Sequence, residues 1–213
     1  MPSGRTLIVA CAAVVVLAGG ATAFLKLHDE EGPRPGVYRG ERTSAMYAPI
    51  ATRRLDPAPL TEQEVFGPGG GSLTAAGVTL ARRSVTVSAD CSTAVWGSGP
   101  VAAVAGCTQV LRGVYATGDI SGQFQIFNLP DGDAANGLVA ALDHNGTGFL
   151  KLAPDQPESF DAGRSWAQVR ALGHYVTVSW AGPVGDERVD PTGAVLALDG
   201  LGGVVQGRVI AAS

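Results

Sequence analysis

The hydrophobic and polar pattern of the chain opens with an uncharged run of nineteen residues, Leu7 to Leu25, flanked by Arg5 and Lys26. A helix of that length spans about 28 Å at 1.5 Å per residue, close to the hydrocarbon thickness of a bilayer. Positive charge precedes the run and acidic residues follow it, so we predict a membrane anchor with its N-terminus in the cytoplasm. Secretion after cleavage near Ala23 is the alternative, because small residues there resemble a signal-peptidase site.

This anchor divides the chain into four predicted segments. Residues 1–6 are a short cytoplasmic start, and residues 7–25 cross the bilayer. Residues 26–60, which contain several prolines and charges of both signs, have the composition of an extracytoplasmic tether. Residues 61–213 remain for a single extracytoplasmic domain, and about 150 residues are enough to bury a sizeable core.

The pattern after residue 60 breaks into short elements. Thr61 and Glu64 match a capping box, which predicts a short helix ending at Gly67. Asp90 is placed to cap another helix, which Pro100 must kink or split. The remaining predicted elements are strands over residues 85–89, 110–116, 124–129, 149–152, 166–171 and 174–180, a continuation of the interrupted helix over 101–105, a helix capped by Asp131 or Asp133, and a helix opened by Asp190-Pro191.

The order of these elements indicates a fold class. From residue 85 to residue 152 it is strand, helix, strand, strand, helix, strand. That order is typical of a split βαβ, ferredoxin-like layer. We therefore predict an α+β domain, with an antiparallel sheet and helices on one of its faces, preceded by one N-terminal transmembrane helix.

Charge and cysteine content narrow the partners and the compartment. From Thr61 onward there are eight basic and fourteen acidic residues, a balance that argues against nucleic acid and against an anionic membrane surface as partners of the domain. Cys91 and Cys107 lie outside the anchor, where oxidation is permitted, so we predict a disulfide between them. Closing that loop would stabilise the domain by about 3 kcal/mol in the chain-entropy description.

The chain lacks the usual sequence signatures of catalysis. It has no Gly-x-Ser-x-Gly, Ser-x-x-Lys or His-Glu-x-x-His motif, so we predict no enzyme activity, no metal site and no cofactor. Of three histidines, His174 alone lies beside a predicted strand. A hydrogen-bonded core histidine is the simpler interpretation, and a hydrolase centred on His174 is the alternative.

Aromatic and polar residues in the predicted elements also allow a ligand pocket between the sheet and the helices. For Arg112 two positions are open, an edge of the sheet or a buried site where an acidic residue such as Asp90 pairs with it. The candidate pocket residues are Trp96, Arg112, Tyr115, His174 and Tyr175.

Several short motifs lie within residues 60–182: Asp90-Cys91, Ala94-Val95-Trp96-Gly97, Gly106-Cys107-Thr108-Gln109, Arg112, Tyr115, Phe127-Asn128-Leu129 and Gly173-His174-Tyr175. With them the chain resembles uncharacterised, membrane-anchored extracytoplasmic proteins of filamentous actinobacteria. The resemblance implies an anchored, disulfide-containing α+β domain with no established activity, and it supplies no catalytic residue. Ser98-Gly99-Pro100 departs from that pattern and interrupts the first helix.

These observations favour a membrane-tethered, non-enzymatic domain that binds a protein or another component of the cell envelope. A small-molecule binding module with its pocket between sheet and helices is the second hypothesis. The two differ in what they require, because a binding module needs an apolar cavity with a few convergent polar groups.

Overall fold

The computed structural model describes residues 32–67, 71–143, 145–186 and 188–213. The predicted anchor over residues 7–25 and the cleavage site near Ala23 lie outside the described residues. The described part of the chain from Gly32 to Ser213 is one compact unit.

A seven-stranded mixed sheet, curled into a half-barrel, forms the centre of this unit. The strands in the described residues are β1 (Val37–Glu41), β2 (Ser72–Ala75), β3 (Val78–Ser88), β4 (Val95–Gly97), β5 (Gln109–Thr117), β6 (Ile120–Asn128), β7 (Gly148–Leu150), β8 (Trp166–Leu172) and β9 (Tyr175–Pro183). The large sheet has the order β1-β8-β9-β6-β5-β3-β2, and β4 pairs with β7 in a separate two-stranded sheet. Strand β1 runs parallel to β8, whereas the other neighbours are antiparallel.

Helices in the described residues are short. They are α1 (Glu62–Phe66), α2 (Ser98–Ala103), α3 (Gly132–Ala141), α4 (Thr192–Asp199) and α5 (Val204–Ala212), with 3-10 turns at Ala45–Ile50, Cys91–Ala94, Ala162–Arg164 and Gly200–Gly203. Two of the predicted caps are confirmed, whereas the helix predicted from Asp190-Pro191 begins at Thr192 with Pro191 as its N-cap. Thr61 and Glu64 form the complete capping box of α1, and the Asp131 carboxylate accepts the Ala134 N–H at the start of α3.

The predicted ferredoxin-like α+β fold is wrong, because the fold is mostly β and the helices cover both faces of the sheet. One face packs against α3 and the β4–β7 sheet, in a core that includes Phe127, Phe149 and Trp180. The other face packs against α1, α4 and α5, in a core that includes Phe124 and Leu198.

One misassigned segment and one strand with an unexpected partner explain the error. The segment predicted as a helix after Asp90 forms a 3-10 turn and then β4, because Gly97 takes a φ of 83° that ends the strand and opens α2. Residues 148–150 form β7, which pairs with β4 and not with the large sheet. The predicted disulfide between Cys91 and Cys107 is confirmed, and it encloses this turn, strand and helix.

Residues 32–60, within the predicted tether, are folded onto the domain in this structure. Strand β1 lies in the sheet, and Ile50 and Leu60 are buried in the second core. The Arg34 guanidinium donates to the carbonyls of Gly146 and Gly148 and lies 5.4 Å from the centre of the Trp96 ring. These contacts attach the first described residues to the β4–β7 sheet.

The C-terminal helical run is the one described segment that meets the length and composition of a membrane span. It extends from Thr192 to Ala212, through α4, a 3-10 turn and α5. In this structure Ala194 and Leu198 of the run are buried against the sheet. Length and composition alone support the comparison with a span.

Candidate functional site

Strand β1 leaves one edge of the large sheet open. The Val37 N–H donates to the Ser165 carbonyl at 3.1 Å, and β1 lies parallel to β8. In a parallel ladder alternate residues bond to the same neighbour, so Val37, Arg39 and Glu41 face β8 with their main-chain groups. The main-chain N–H and C=O groups of Tyr38 and Gly40 therefore point away from the sheet, towards its open side.

A groove of about 750 Å³ runs between this edge and α3. The Tyr38 ring forms part of its floor, because the hydroxyl donates to the Val139 carbonyl of α3 and the ring meets Phe149 edge-on at 6.4 Å. Burial raises the pKa of Tyr38, so the hydroxyl stays protonated. The groove is lined by Tyr38, Arg39, Gly40, Arg42, Asp133, Asn136, Gly137, Val139, Ala140 and Asp143.

Glycine at position 40 is what allows the Tyr38 side chain to cross to α3. A Cβ atom built on Gly40 would lie 2.7 Å from the Tyr38 hydroxyl and 3.0 Å from a methyl group of Val139. Both distances are shorter than ordinary van der Waals contact. The glycine thus leaves room for the Tyr38 ring to reach α3.

The rim of the groove carries both signs of charge. Arg39 is 66% exposed and lies 3.8 Å from the Glu41 carboxylate, and Arg42 is exposed beyond the end of the strand. Asp133, in the first turn of α3, is exposed on the facing wall. The groove therefore offers main-chain hydrogen-bonding groups along one wall and alternating charges at the rim.

His174 belongs to a different cluster, on the second face of the sheet. Its ring is completely buried, with Nδ1 at 3.2 Å from the Leu129 carbonyl and Nε2 at 3.5 Å from the Asp56 carboxylate. The same carboxylate accepts hydrogen bonds from the Tyr175 hydroxyl at 2.8 Å and from Arg208 at 2.9 Å. No Ser, Thr or Cys side chain of the described residues hydrogen-bonds the ring.

This cluster joins distant parts of the chain. Burial lowers the pKa of His174 below its usual 6.5, in spite of the nearby Asp56 carboxylate. Burial raises the pKa of Asp56, but hydrogen bonds from Tyr175 and Arg208 outweigh it, so this pKa lies below its usual 3.8. Arg208 also binds Glu64 at 2.8 Å, which ties α5 to α1. Asp56, His174, Tyr175 and Arg208 thus hold these parts of the chain together, and we call the four residues the His174 clamp.

The structure separates the five residues of the predicted ligand pocket. Trp96 lies in β4 within the first core, and Arg112 lies on the sheet face that packs against that core. Tyr115 and Tyr175 belong to the second core, on the opposite face. The structure brings His174 and Tyr175 together, with ring centres 3.9 Å apart.

Arg112 is buried, as in the second of its two expected positions, but without the acidic partner expected there. Strand β5 lies between β3 and β6, so Arg112 is central and not at an edge. Asp90 is engaged locally, because its carboxylate accepts the N–H and hydroxyl of Ser92. Arg112 forms no ion pair with a carboxylate of the described residues.

The sequence does not predict the groove along β1, because the composition of residues 26–60 indicates a tether. The Val37–Glu41 segment is short, and charged residues and a glycine give it little apolar signal. Tyr38 is a signal that could have indicated it, because a large aromatic residue in a flexible segment suggests a docking contact. The helix α3, against which Tyr38 packs, is predicted correctly from its cap. No local feature of the sequence indicates that Tyr38 and α3 pack together.

Neither metal-ligating groups in the described residues nor similarity to known proteins assigns a function. The described residues contain no group of three His, Cys, Asp or Glu side chains that could hold a metal ion. Comparison with known proteins finds no matching family, no similar curated protein and no similar solved structure.

Proposed function

We propose that this chain is a non-enzymatic extracytoplasmic protein, anchored in the membrane by residues 7–25, that binds an extended segment of a partner protein along β1. The observation that carries the proposal is the open edge of β1 beside the groove. Tyr38 and Gly40 present main-chain donors and acceptors there, spaced as a strand requires. An added strand makes such main-chain bonds and places alternate side chains in the adjoining groove.

The charges on the rim suggest the sequence character of the partner segment. Arg39 and Arg42 lie on the strand side of the groove, and Asp133 lies on the helix side. In one register, a partner segment with alternating acidic and basic side chains would place an opposite charge beside each of these residues. A shift of one residue would place like charges there. The chemistry thus favours a mixed-charge, extended segment over a purely apolar one.

The compartment in which we place this binding is inferred from the sequence and the disulfide. Cys91 and Cys107 are bonded, which is typical of an oxidising compartment. The uncharged run over residues 7–25 supports an anchor with an N-in, C-out orientation. The partner is accordingly expected at the outer face of the membrane.

Site-specific crosslinking in the native host tests the proposal. A photoreactive amino acid replaces Arg42 at the groove in the full-length chain, and the matched control replaces Arg83, an exposed residue at a bulge in β3. We expect a single partner protein to be crosslinked from position 42 and not from position 83. Equal labelling from both positions, or none from position 42, would contradict the proposal.

Amide hydrogen exchange then tests the mode of binding. A synthetic peptide with the sequence of the crosslinked partner segment is added to the full-length protein in detergent micelles. The amides of Tyr38 and Gly40 should become protected, whereas those of Val37 and Arg39 should change little because β8 already holds them. Binding that leaves the Tyr38 and Gly40 amides unprotected would rule out strand addition.

A further inference from the structure

A buried polar layer lies between the centre of the large sheet and residues 151–156. Gln123 of β6 attaches this segment, because its side-chain oxygen accepts the Ala153 N–H at 2.9 Å and its side-chain nitrogen donates to the Lys151 carbonyl at 3.3 Å. The Gln156 N–H donates to the Ala153 carbonyl, so Gln156 lies in the turn that begins at Ala153. The segment therefore meets the sheet through these polar groups as well as through the apolar side chains of Leu152 and Ala153.

Arg112 lies in this layer without a neutralising partner. Arg112 of β5 lies directly opposite Gln125 of β6 in the strand register, and 9% of the surface of Arg112 is exposed. One terminal nitrogen of its guanidinium is 3.4 Å from the Lys151 carbonyl, which is a weak contact. Its Nε is buried and donates to no atom of the described residues. Burial lowers the pKa of Arg112, and no acidic group raises it.

Two glutamines add further unused hydrogen-bonding groups. Gln125 is completely buried and Gln156 is 8% exposed. The amide nitrogen and the amide oxygen of both side chains form no hydrogen bond with the described residues. Together with the Arg112 Nε, the layer holds three buried donors and two buried acceptors without protein partners.

The cost of this arrangement indicates that something compensates it. A buried donor or acceptor without a partner costs about 1–3 kcal/mol, and an unpaired buried charge costs more. Ordered water can satisfy glutamine amides, but it does not neutralise a guanidinium. A guanidinium binds a carboxylate through two parallel hydrogen bonds, which meets both requirements.

We infer that Arg112, Gln125 and Gln156 form a binding site for a small carboxylate that also carries a hydroxyl or amino group. The carboxylate pairs with the guanidinium and accepts from the glutamine amide nitrogens. The hydroxyl or amino hydrogen is donated to a glutamine oxygen. This site is separate from the groove along β1 and does not depend on the partner proposed for it.

Binding calorimetry and thermal unfolding of the full-length protein in detergent micelles test the site. The probes are glycolate and glycine, with acetate as the carboxylate that lacks the second group and inorganic phosphate as the alternative oxyanion, all at constant ionic strength. The variants are Arg112→Met, which keeps the length of the side chain, and Arg83→Met as the exposed control. We expect saturable binding of glycolate or glycine, tighter than that of acetate.

The variants distinguish a ligand site from a structural arginine. Arg112→Met should weaken binding about 30-fold or more, because the charged partner is lost. Without ligand it should unfold at the same temperature as wild type or higher, because an uncompensated buried charge is removed. Arg83→Met should change neither property.

Four results would overturn the inference. The first is that none of the carboxylates binds saturably, and the second is that phosphate alone binds. The third is that Arg112→Met binds as wild type does, and the fourth is that Arg83→Met weakens binding as much as Arg112→Met does. A loss of stability in Arg112→Met without any carboxylate binding to wild type would identify Arg112 as a structural residue.

Discussion

At the scale of single residues, two glycines on opposite walls of the β1 groove have different roles. Gly40 lies where a side chain would meet Tyr38 and Val139, whereas a Cβ atom on Gly137 of α3 would meet no atom within 4 Å. Gly40 is therefore required by packing. Gly137 is an exposed glycine inside a helix, where alanine is the better residue.

Alanine substitutions at these two glycines should act in opposite directions. Gly137→Ala is expected to raise the free energy of unfolding by about 1 kcal/mol, through the helix propensity of alanine. Gly40→Ala should lower it by about 1–3 kcal/mol, because the new methyl group displaces the Tyr38 ring. Urea denaturation of both variants and wild type measures the difference. A Gly40→Ala protein as stable as wild type would show that the Tyr38 side chain can move aside at little cost in free energy.

Residues whose role depends on near neighbours were predictable from the sequence. The capping box of Thr61 and Glu64 and the cap at Asp131 need only groups three residues away, and both are confirmed. The position of Arg112 depends on which strands flank β5 and on what covers the sheet. Those are long-range properties, and no local pattern at Arg112 reports them.

At the scale of elements, the disulfide holds a region that has little regular structure of its own. Cys91 and Cys107 enclose a 3-10 turn, the three-residue strand β4 and the short helix α2. The partner of β4 is the equally short β7. The crosslink therefore keeps this region, including Trp96, packed on the first core.

Removing the disulfide should loosen this region before it unfolds the sheet. In a Cys91→Ala/Cys107→Ala variant the free energy of unfolding is expected to fall by about 3 kcal/mol, the chain-entropy value for a loop of this length. Native-state hydrogen exchange should show faster exchange in residues 95–103 than in β5 and β6. Uniformly faster exchange in every element would contradict a local role.

Elements were easier to predict than the way they associate. Strands β5, β6, β8 and β9 and the helix α3 were found from periodicity and caps, which are local signals. The short strands β1 and β4 carry too few residues for a periodic pattern. The strand β7 was predicted, over residues 149–152, but its pairing with β4 depends on residues far away in the sequence, as does the pairing of β1 with β8. The fold class was wrong because it depended on these three strands.

At the scale of the whole molecule, the His174 clamp should make stability depend on pH. The pKa of His174 is lower in the folded protein than its usual 6.5, so between these values the unfolded chain binds a proton that the folded protein does not. The free energy of unfolding should therefore fall as the pH drops below 6.5. Asp56 adds to the loss below pH 3.8, because its pKa is also lowered by folding.

Urea denaturation at pH 8, 6.5 and 5 measures this dependence. A His174→Gln variant, which cannot take up a proton, should be less stable than wild type at pH 8 and should show a smaller decrease between pH 8 and pH 5. A His28→Gln variant serves as the control and should keep the full dependence. Equal slopes for wild type and His174→Gln would assign the pH response to other groups.

The parallel pairing of β1 with β8 has a consequence for how the protein is made. Val37 is synthesised early, but its neighbour in the sheet is Trp166, and the facing wall of the groove is α3, residues 132–141. Because a chain is synthesised from its N-terminus, β1 is made long before β8. Pairings between distant segments also form slowly. The groove therefore cannot form until synthesis has passed residue 172, so a partner recognised there would not bind shorter nascent chains.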